Sequence, residues 1–126
     1  MDPKQVHEFW PHVEPLLRQA IIRTGISAFR DIEYNVLYGD DLLWICWEDR
    51  ILCAGSTSLQ ETDAGKVCVI TACGGSDMHR WLPLLEKIES YAKAEGCKRT
   101  RIVGRRGWMR VLEGYEMKNV ILDKVI

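Results

Sequence analysis

Few side chains in this sequence are of the kinds that do chemistry at neutral pH. The three histidines are His7, His12 and His79. His7 and His12 stand five apart with Pro11 between them, whereas a zinc pair on one helix face stands four apart. No metal site is expected. The five cysteines are Cys46, Cys53, Cys68, Cys73 and Cys97, an odd count with no Cys-x-x-Cys spacing. Most sit in apolar runs and read as small buried hydrophobes in a reducing compartment. Cys73 precedes two glycines at an expected helix start, where a thiolate is stabilised. No histidine and carboxylate set accompanies it, so it reads as a packed cysteine. The densest charge is basic. Lys98, Arg99, Arg101, Arg105, Arg106 and Arg110 fall in a stretch with no acid between positions 98 and 110. Arg99 and Arg101 would share one face of a strand. The cluster reads either as a solvated face or as a contact for phosphate, nucleic acid or an acidic protein patch. Trp108, flanked by Arg106 and Arg110, makes a combination enriched at interface hot spots, or else packs in the core.

The elements that must position these residues follow from periodicity. Val6, Phe9/Trp10, Val13, Leu16/Leu17 and Ala20/Ile21 recur at helical spacing over residues 2–24. Asp2, Pro3 and Gln5 resemble an N-cap, a first-turn proline and a capping-box partner, and Gly25 the C-cap. Pro11 and Pro15 predict two short helices or one kinked one. Residues 31–40 form a short helix or a strand. Leu42 to Trp47 is apolar at every position, which predicts a strand covered on both faces. Trp44 and Trp47 then lie on opposite faces, both buried. A turn at residues 48–50, a strand over 51–60, a turn over 61–65 and a strand over 66–73 complete an antiparallel meander. In its third strand Cys68 and Ile70 share one face, Val67 and Val69 the other. Trp81, Leu84/Leu85, Ile88 and Tyr91/Ala92 mark a helix ending at Gly96. A strand over 98–104, a short helix over 107–113 and a closing strand over 116–126 finish the chain. The order predicts an α+β fold with helices on both faces of a mixed sheet.

The 126 residues fit a single domain, 1–126, with a core of its own. A hydrophobic share of 47% and a charged share of 28% exclude a disordered tail, a collagen-like chain or a coiled coil. No apolar run approaches the roughly 20 residues of a membrane span, so no membrane role is expected. No signal peptide is read at the N-terminus. The net charge of −1 argues against nucleic acid as a partner.

The element order is similar to the GNAT (acyl-CoA N-acyltransferase-like) fold. The C-terminal half, CGGSDMHRWLPLLEKIESYAKAEGC followed by RIVGRRGWMRVLEGYEMKNVILDKVI, resembles small GNAT-like proteins of bacteriophages and prophages. Gly104-Arg105-Arg106-Gly107-Trp108, Arg110-Val111-Leu112 and Gly114-Tyr115 carry that likeness. It implies acetyl-CoA as cofactor if the chain is an enzyme, held at Ile70, Ala72, Gly74, Gly75, Ser76, His79 and Arg80. In such enzymes backbone amides of a strand-to-helix loop grip the diphosphate.

Three departures from the family pattern point away from a working site. The arginine or glutamine that opens the family's loop motif is not in place, Asp77 adds a negative charge, and Pro83 falls near the helix start. Where the family carries a tyrosine one turn before Gly114-Tyr115, Arg110 stands, and an arginine is no general acid at neutral pH. Tyr115 reads as a packed aromatic. Glu33, Glu48 and Glu61 are available bases that read equally well as surface residues. Without the resemblance, Gly74-Gly75 is a tight strand-to-helix turn and Asp77 a helix cap. The expectation is therefore a phage protein without a working cofactor site, acting through protein contacts in virion structure or assembly. Its partner would be a protein, such as a phage structural protein, met through Arg99, Arg101, Arg105, Arg106, Trp108 and Arg110. Its place would be the cytoplasm of an infected bacterial cell and the virion. The alternative is an acetyl-CoA-dependent N-acetyltransferase acting on a protein or a small amine.

Overall fold

The computed structural model of the chain describes residues 3–25, 28–75, 78–102 and 112–126. Helix α1 spans Pro3–Thr24 and α2 spans Phe29–Leu37. In α1, Val6, Trp10, Val13, Leu17 and Ile21 are all buried, one stripe at intervals of three and four. Pro11 and Pro15 lie within this helix on its exposed side. The carbonyls they leave without a donor belong to His7 and Pro11, also exposed, so water can take the donor's place. A single helix therefore runs through both prolines. Gly25 ends it at φ +63°, its N–H donating to the Ile21 carbonyl at 2.9 Å. The Asp2 cap lies outside the described residues. The segment that could have been helix or strand is α2, whose Ile32 and Val36 bury one turn apart.

Strands β1 (Leu42–Trp47), β2 (Ile51–Thr62) and β3 (Gly65–Gly75) form the antiparallel meander. Helix α3 (Met78–Ala94) crosses over to β4 (Arg99–Ile102), which pairs parallel to β3. The sheet order is β1-β2-β3-β4. One face carries Leu43, Ala54 and Ala72 under α1 and α2. The other carries Cys53, Cys68 and Ile70 under Trp81, Leu85, Ile88 and Ala92 of α3. The two-sided cover read from the apolar run of β1 is present, and Cys68 and Ile70 share a face as expected. No helix among the described residues is long and apolar enough to cross a membrane.

Three expectations differ from the structure. Trp44 packs half-buried on the α3 side, its indole N–H donating to the Thr57 hydroxyl at 2.9 Å. Trp47, on the opposite side, is 58% exposed. It ends β1 where the register slips against Ile51, past the reach of full cover, and only its edge contact with Phe9 shields it. The closing strand over Glu116–Ile126 is not formed: this segment is irregular and exposed. Tyr115 is tied to Thr100 of β4 and Glu89 of α3. The short helix expected over 107–113 lies mostly outside the described residues. At its end Leu112 is buried beneath α3, and residues 113 and 114 turn.

A glycine sets how closely α3 approaches. A Cβ on Gly55 would stand 2.5 Å from the Trp81 ring, so the indole occupies the space a side chain would need. Trp81 is 1% exposed. Gly55→Ala is expected to lower stability by about 1–3 kcal/mol, as overpacked cores do, read as a lower urea midpoint.

Asp41, just before β1, is 6% exposed. Burial pushes its carboxyl above the usual range; a Ser58 hydrogen bond opposes this and the neighbouring Asp40 adds to it. Its ionisation therefore opposes folding. The penalty is absent below the unfolded carboxylate pKa and grows as pH rises toward the raised folded value. Asp41→Asn is expected to raise the denaturation midpoint at pH 7 and to lose that advantage near pH 3. A variant equally stabilised at both pH values would contradict this assignment.

Candidate functional site

The sheet opens at one corner. Among the described residues, pairing between β3 and β4 runs from Val67↔Arg99 to Ile70↔Ile102, while β3 continues to Gly75. Thr71 is the point of change. Ser56 pairs with Ala72 and Thr57 with Ile70, so Thr71 is an extra residue bulged out of β3. The bulge flips the alternation, which puts Ala72 on the α1 side and Cys73 on the α3 side. The Thr71 hydroxyl lies 2.7 Å from that of Ser56, and it donates to the Ser56 carbonyl at 3.2 Å. From Ala72 to Gly75 the strand keeps its β2 partners, and among the described residues no strand pairs with its other edge. Helix α3 begins at Met78, three residues after the strand ends. An open strand edge, with alternating N–H and C=O groups, thus meets a helix N-terminus whose amides have no partner within the helix. Such a corner can hold an extended amide-bearing chain along the strand and an anion at the helix start.

The glycines at this corner have a packing reason. A Cβ on Gly74 would stand 2.3 Å from the Leu16 carbonyl oxygen of α1. On Gly75 it would meet the Cys53 Cβ at 2.5 Å and the Leu52 carbonyl oxygen at 2.6 Å. Both positions exclude side chains because other backbone lies there. Pro83 also reads differently in place. It stands inside α3, five residues beyond its start at Met78. The hydrogen bond it removes is the one to the His79 carbonyl, so the free amides of the first turn are untouched. The expected disturbance of the helix start is absent.

The structure brings together several of the residues named from sequence. Ile70, Ala72, Gly74 and Gly75 all lie on β3, from the last pair with β4 to the strand's end. Ile70 and Ala72 are buried on opposite faces; Ile70 pairs with Ile102, and among the described residues Ala72 has no partner on that edge. His79 and Arg80 belong to the first turn of α3. Ser76 and Asp77 lie outside the described residues. Of the basic patch, Arg99 and Arg101 sit on β4 opposite Val67 and Val69, and so share a face. Arg105, Arg106, Trp108 and Arg110 lie outside the described residues.

Other candidates have structural duties. Burial and the nearby Cys53 push the Cys73 thiol well above its ordinary value, and burial, with Cys97 adding, pushes Cys68 up to about 11. Neither is a thiolate at neutral pH. Among the described residues no group of three His, Cys, Asp or Glu could hold a metal ion. Glu33 accepts the Trp10 indole N–H at 3.0 Å and so joins α2 to α1. Glu61 pairs with Lys66 at the hairpin, the far end of β3 from Gly75. Glu48 lies in the β1–β2 turn, at the open end but two strands away. Tyr115 donates to Glu89 at 3.0 Å and shares a 2.5 Å hydrogen bond with Thr100. Burial and Glu89 together outweigh the Thr100 hydrogen bond and push it up to about 12, so it packs as a neutral phenol. Sequence reasoning missed Thr71 and the bulge. The one available signal was a hydroxyl residue interrupting the alternation of β3 just before its glycines.

No family model matches the sequence, and no curated protein is similar to it in sequence. Solved structures are similar in fold. An aminoglycoside acetyltransferase from an uncultured soil metagenomic sample, in complex with sisomicin, superposes with a TM-score of 0.72 at 8% identity, covering 100% of this chain and 92% of its own. A Clostridium acetobutylicum protein named as an acetyltransferase and solved with acetyl-CoA gives 0.65 at 17% identity, covering 99% and 92%. A GNAT family acetyltransferase from Staphylococcus aureus gives 0.56 at 16% identity, covering 79% and 78%. The fold is GNAT-like. These likenesses support that fold and carry no sign of a narrower relationship to phage proteins.

Gly74→Ala tests the packing reading. The added methyl must push α1 from β3, so stability should fall by at least about 2 kcal/mol, the size of an overpacking penalty, with or without any ligand present. Equal thermal midpoints for the two proteins would show that the α1 contact is not what excludes a side chain.

Proposed function

We propose that the chain is an acetyl-CoA-dependent N-acetyltransferase that uses the open corner between β3 and β4. The observation that carries this reading is that, among the described residues, β3 pairs with β4 only as far as Ile70↔Ile102 while it runs on to Gly75 beside the start of α3. The residues fit the chemistry of the ligand. The backbone of residues 71–75 offers donors and acceptors to an amide-bearing arm, and the first turn of α3 offers amides and positive dipole to a diphosphate. His79 and Arg80 belong to that turn. Acetyl-CoA, when bound, supplies an activated acyl group. The chain's part is to hold and orient it at the sheet's opening, where a primary amine can approach.

Proton handling is the weak half of the site. Arg110 stands where the resemblance implies a tyrosine, and Tyr115, kept protonated by burial and Glu89, commits its O–H to that carboxylate. An acceptor amine that is already partly unprotonated at neutral pH suits such a site. A peptide N-terminus, at an ordinary pKa near 8, is closer to that condition than lysine, near 10.4. A second reading, a protein acting through contacts with a protein partner, rests on Arg110 and on the basic run of which Arg99 and Arg101 lie on β4. Virion assembly and a phage partner belong to that reading.

Calorimetric titration with acetyl-CoA tests the proposal. A dissociation constant of about 10–100 micromolar is expected, equivalent to about 5.5–7 kcal/mol. Arg80→Glu should weaken binding at least tenfold without changing the thermal midpoint of the free protein. Mass spectrometry should then find acetyl transfer to peptide N-termini in preference to lysine. Binding without transfer to any amine would favour the second reading, and no binding at millimolar ligand would refute the cofactor site.

A further inference from the structure

The hydroxyl at the vertex of the corner has a fixed polarity. Thr71 is the first residue of β3 beyond the pair Ile70↔Ile102, and it is half-buried beside the fully buried Ser56. Its Oγ1 donates to the Ser56 carbonyl at 3.2 Å and lies 2.7 Å from the Ser56 Oγ. A hydroxyl has one hydrogen and two lone pairs. The Thr71 hydrogen is committed to the carbonyl, so the hydrogen of the 2.7 Å bond is that of Ser56. Thr71 Oγ1 is left with one lone pair and no hydrogen. A group that meets it there must donate. An N–H satisfies that demand, and a carbonyl does not.

We propose that Thr71 Oγ1 accepts an N–H of the acceptor amine and so turns the nitrogen lone pair toward the acyl carbon. This rests on the acetyltransferase reading above. In that reading the diphosphate lies at the first turn of α3, and the arm follows the open edge from Gly75 to Thr71, about 13 Å at the usual rise of a strand. The acyl end then lies at the vertex, next to Thr71. Transfer joins the nitrogen to the acyl carbon while the C–S bond breaks with its electron pair to sulfur; one proton leaves the nitrogen and one ends on the thiol. Thr71 does not carry that proton, because a neutral hydroxyl is no base at neutral pH. Its part is to orient the amine. The bulge supplies the geometry, since it sets two residues of β3, Thr71 and Ala72, against the single residue Ser56.

Calorimetry and initial rates with the peptide trialanine, free at its N-terminus, test this. Thr71→Val keeps the side chain's shape and removes its lone pairs. The dissociation constant of trialanine for the protein loaded with coenzyme A, and its KM in transfer, should both rise at least about tenfold, while acetyl-CoA binds within about twofold of its original strength. Thr71→Ser should recover both constants. Thr71→Val also leaves the buried Ser56 hydroxyl without its partner and should lower the thermal midpoint. The double variant Ser56→Ala, Thr71→Val removes both partners, so it should regain that midpoint and still show the weakened amine. Recovery of amine binding together with the midpoint would make the pair purely structural and overturn the proposal. Unchanged trialanine constants in Thr71→Val, with acetyl-CoA bound, overturn this proposal alone. No acetyl-CoA binding by the unaltered protein overturns the cofactor reading and this proposal with it, and that failure shows before any substitution is made.

Discussion

Two glycine notches in neighbouring rows of the sheet hold the open corner together. Gly55 pairs with Cys73 and Gly74 pairs with Ala54, so the notches are one register step apart on opposite faces. Into one fits the Trp81 ring of α3, and against the other lies the Leu16 carbonyl of α1. A strand that has lost its neighbour on one side would ordinarily fray, because half of its backbone groups lack partners. Here the helices grip it from above and below at the place where lateral pairing ends. The corner is thus rigid in the direction that matters for presenting amides and open in the direction from which a ligand comes. Large side chains at either glycine would move a helix off the strand and loosen both at once.

Polar groups beneath the helices are arranged to keep this grip dry without leaving them unmatched. Ser56 is fully buried and shares its hydroxyl with Thr71 at the bulge. Thr57, one residue on and facing the other way, accepts from Trp44. These bonds span β1, β2 and β3 across the row where the alternation flips. A bulge costs one ladder position, and the hydroxyl pair returns a hydrogen bond at that position. The consequence for function is geometric. The bulge re-aims the last residues of β3, just past the pair Ile70↔Ile102.

Much of this architecture was legible because period alone decides it. The stripe from Val6 to Ile21, the stripe from Trp81 to Ala92 and the unbroken apolar run of β1 each have one physical reading, and each has its element. What was not legible depends on neighbours rather than on period. Trp47 looks like Trp44 in the sequence, yet it sits at a register slip where cover ends. Residues 116–126 read as a closing strand, but the sequence says nothing about where a receiving edge lies, and the segment is irregular and exposed. Pro83 looked close enough to the helix start to disturb it; only the position of Met78 shows that the free amides come earlier. The glycines at 74 and 75 stand out in the sequence, but their packing reason was hidden, because the carbonyl that crowds Gly74 belongs to a residue 58 positions earlier.

That reason changes how an anion must be held. If the glycines served to let a phosphate approach, their backbone would face open space and a side chain there would collide with ligand. Instead a side chain would collide with the protein itself, at both positions. In the proposed reading the grip comes from the outward backbone edge of β3, to which Gly74 and Gly75 belong, and from the first turn of α3. A grip made of backbone amides is indifferent to the side chains around it, so the departures of this loop from the family pattern weaken it less than they would weaken a site built on a single arginine. What the amides cannot do is move a proton. In the proposed reading the amine's own pKa then sets the pace of transfer.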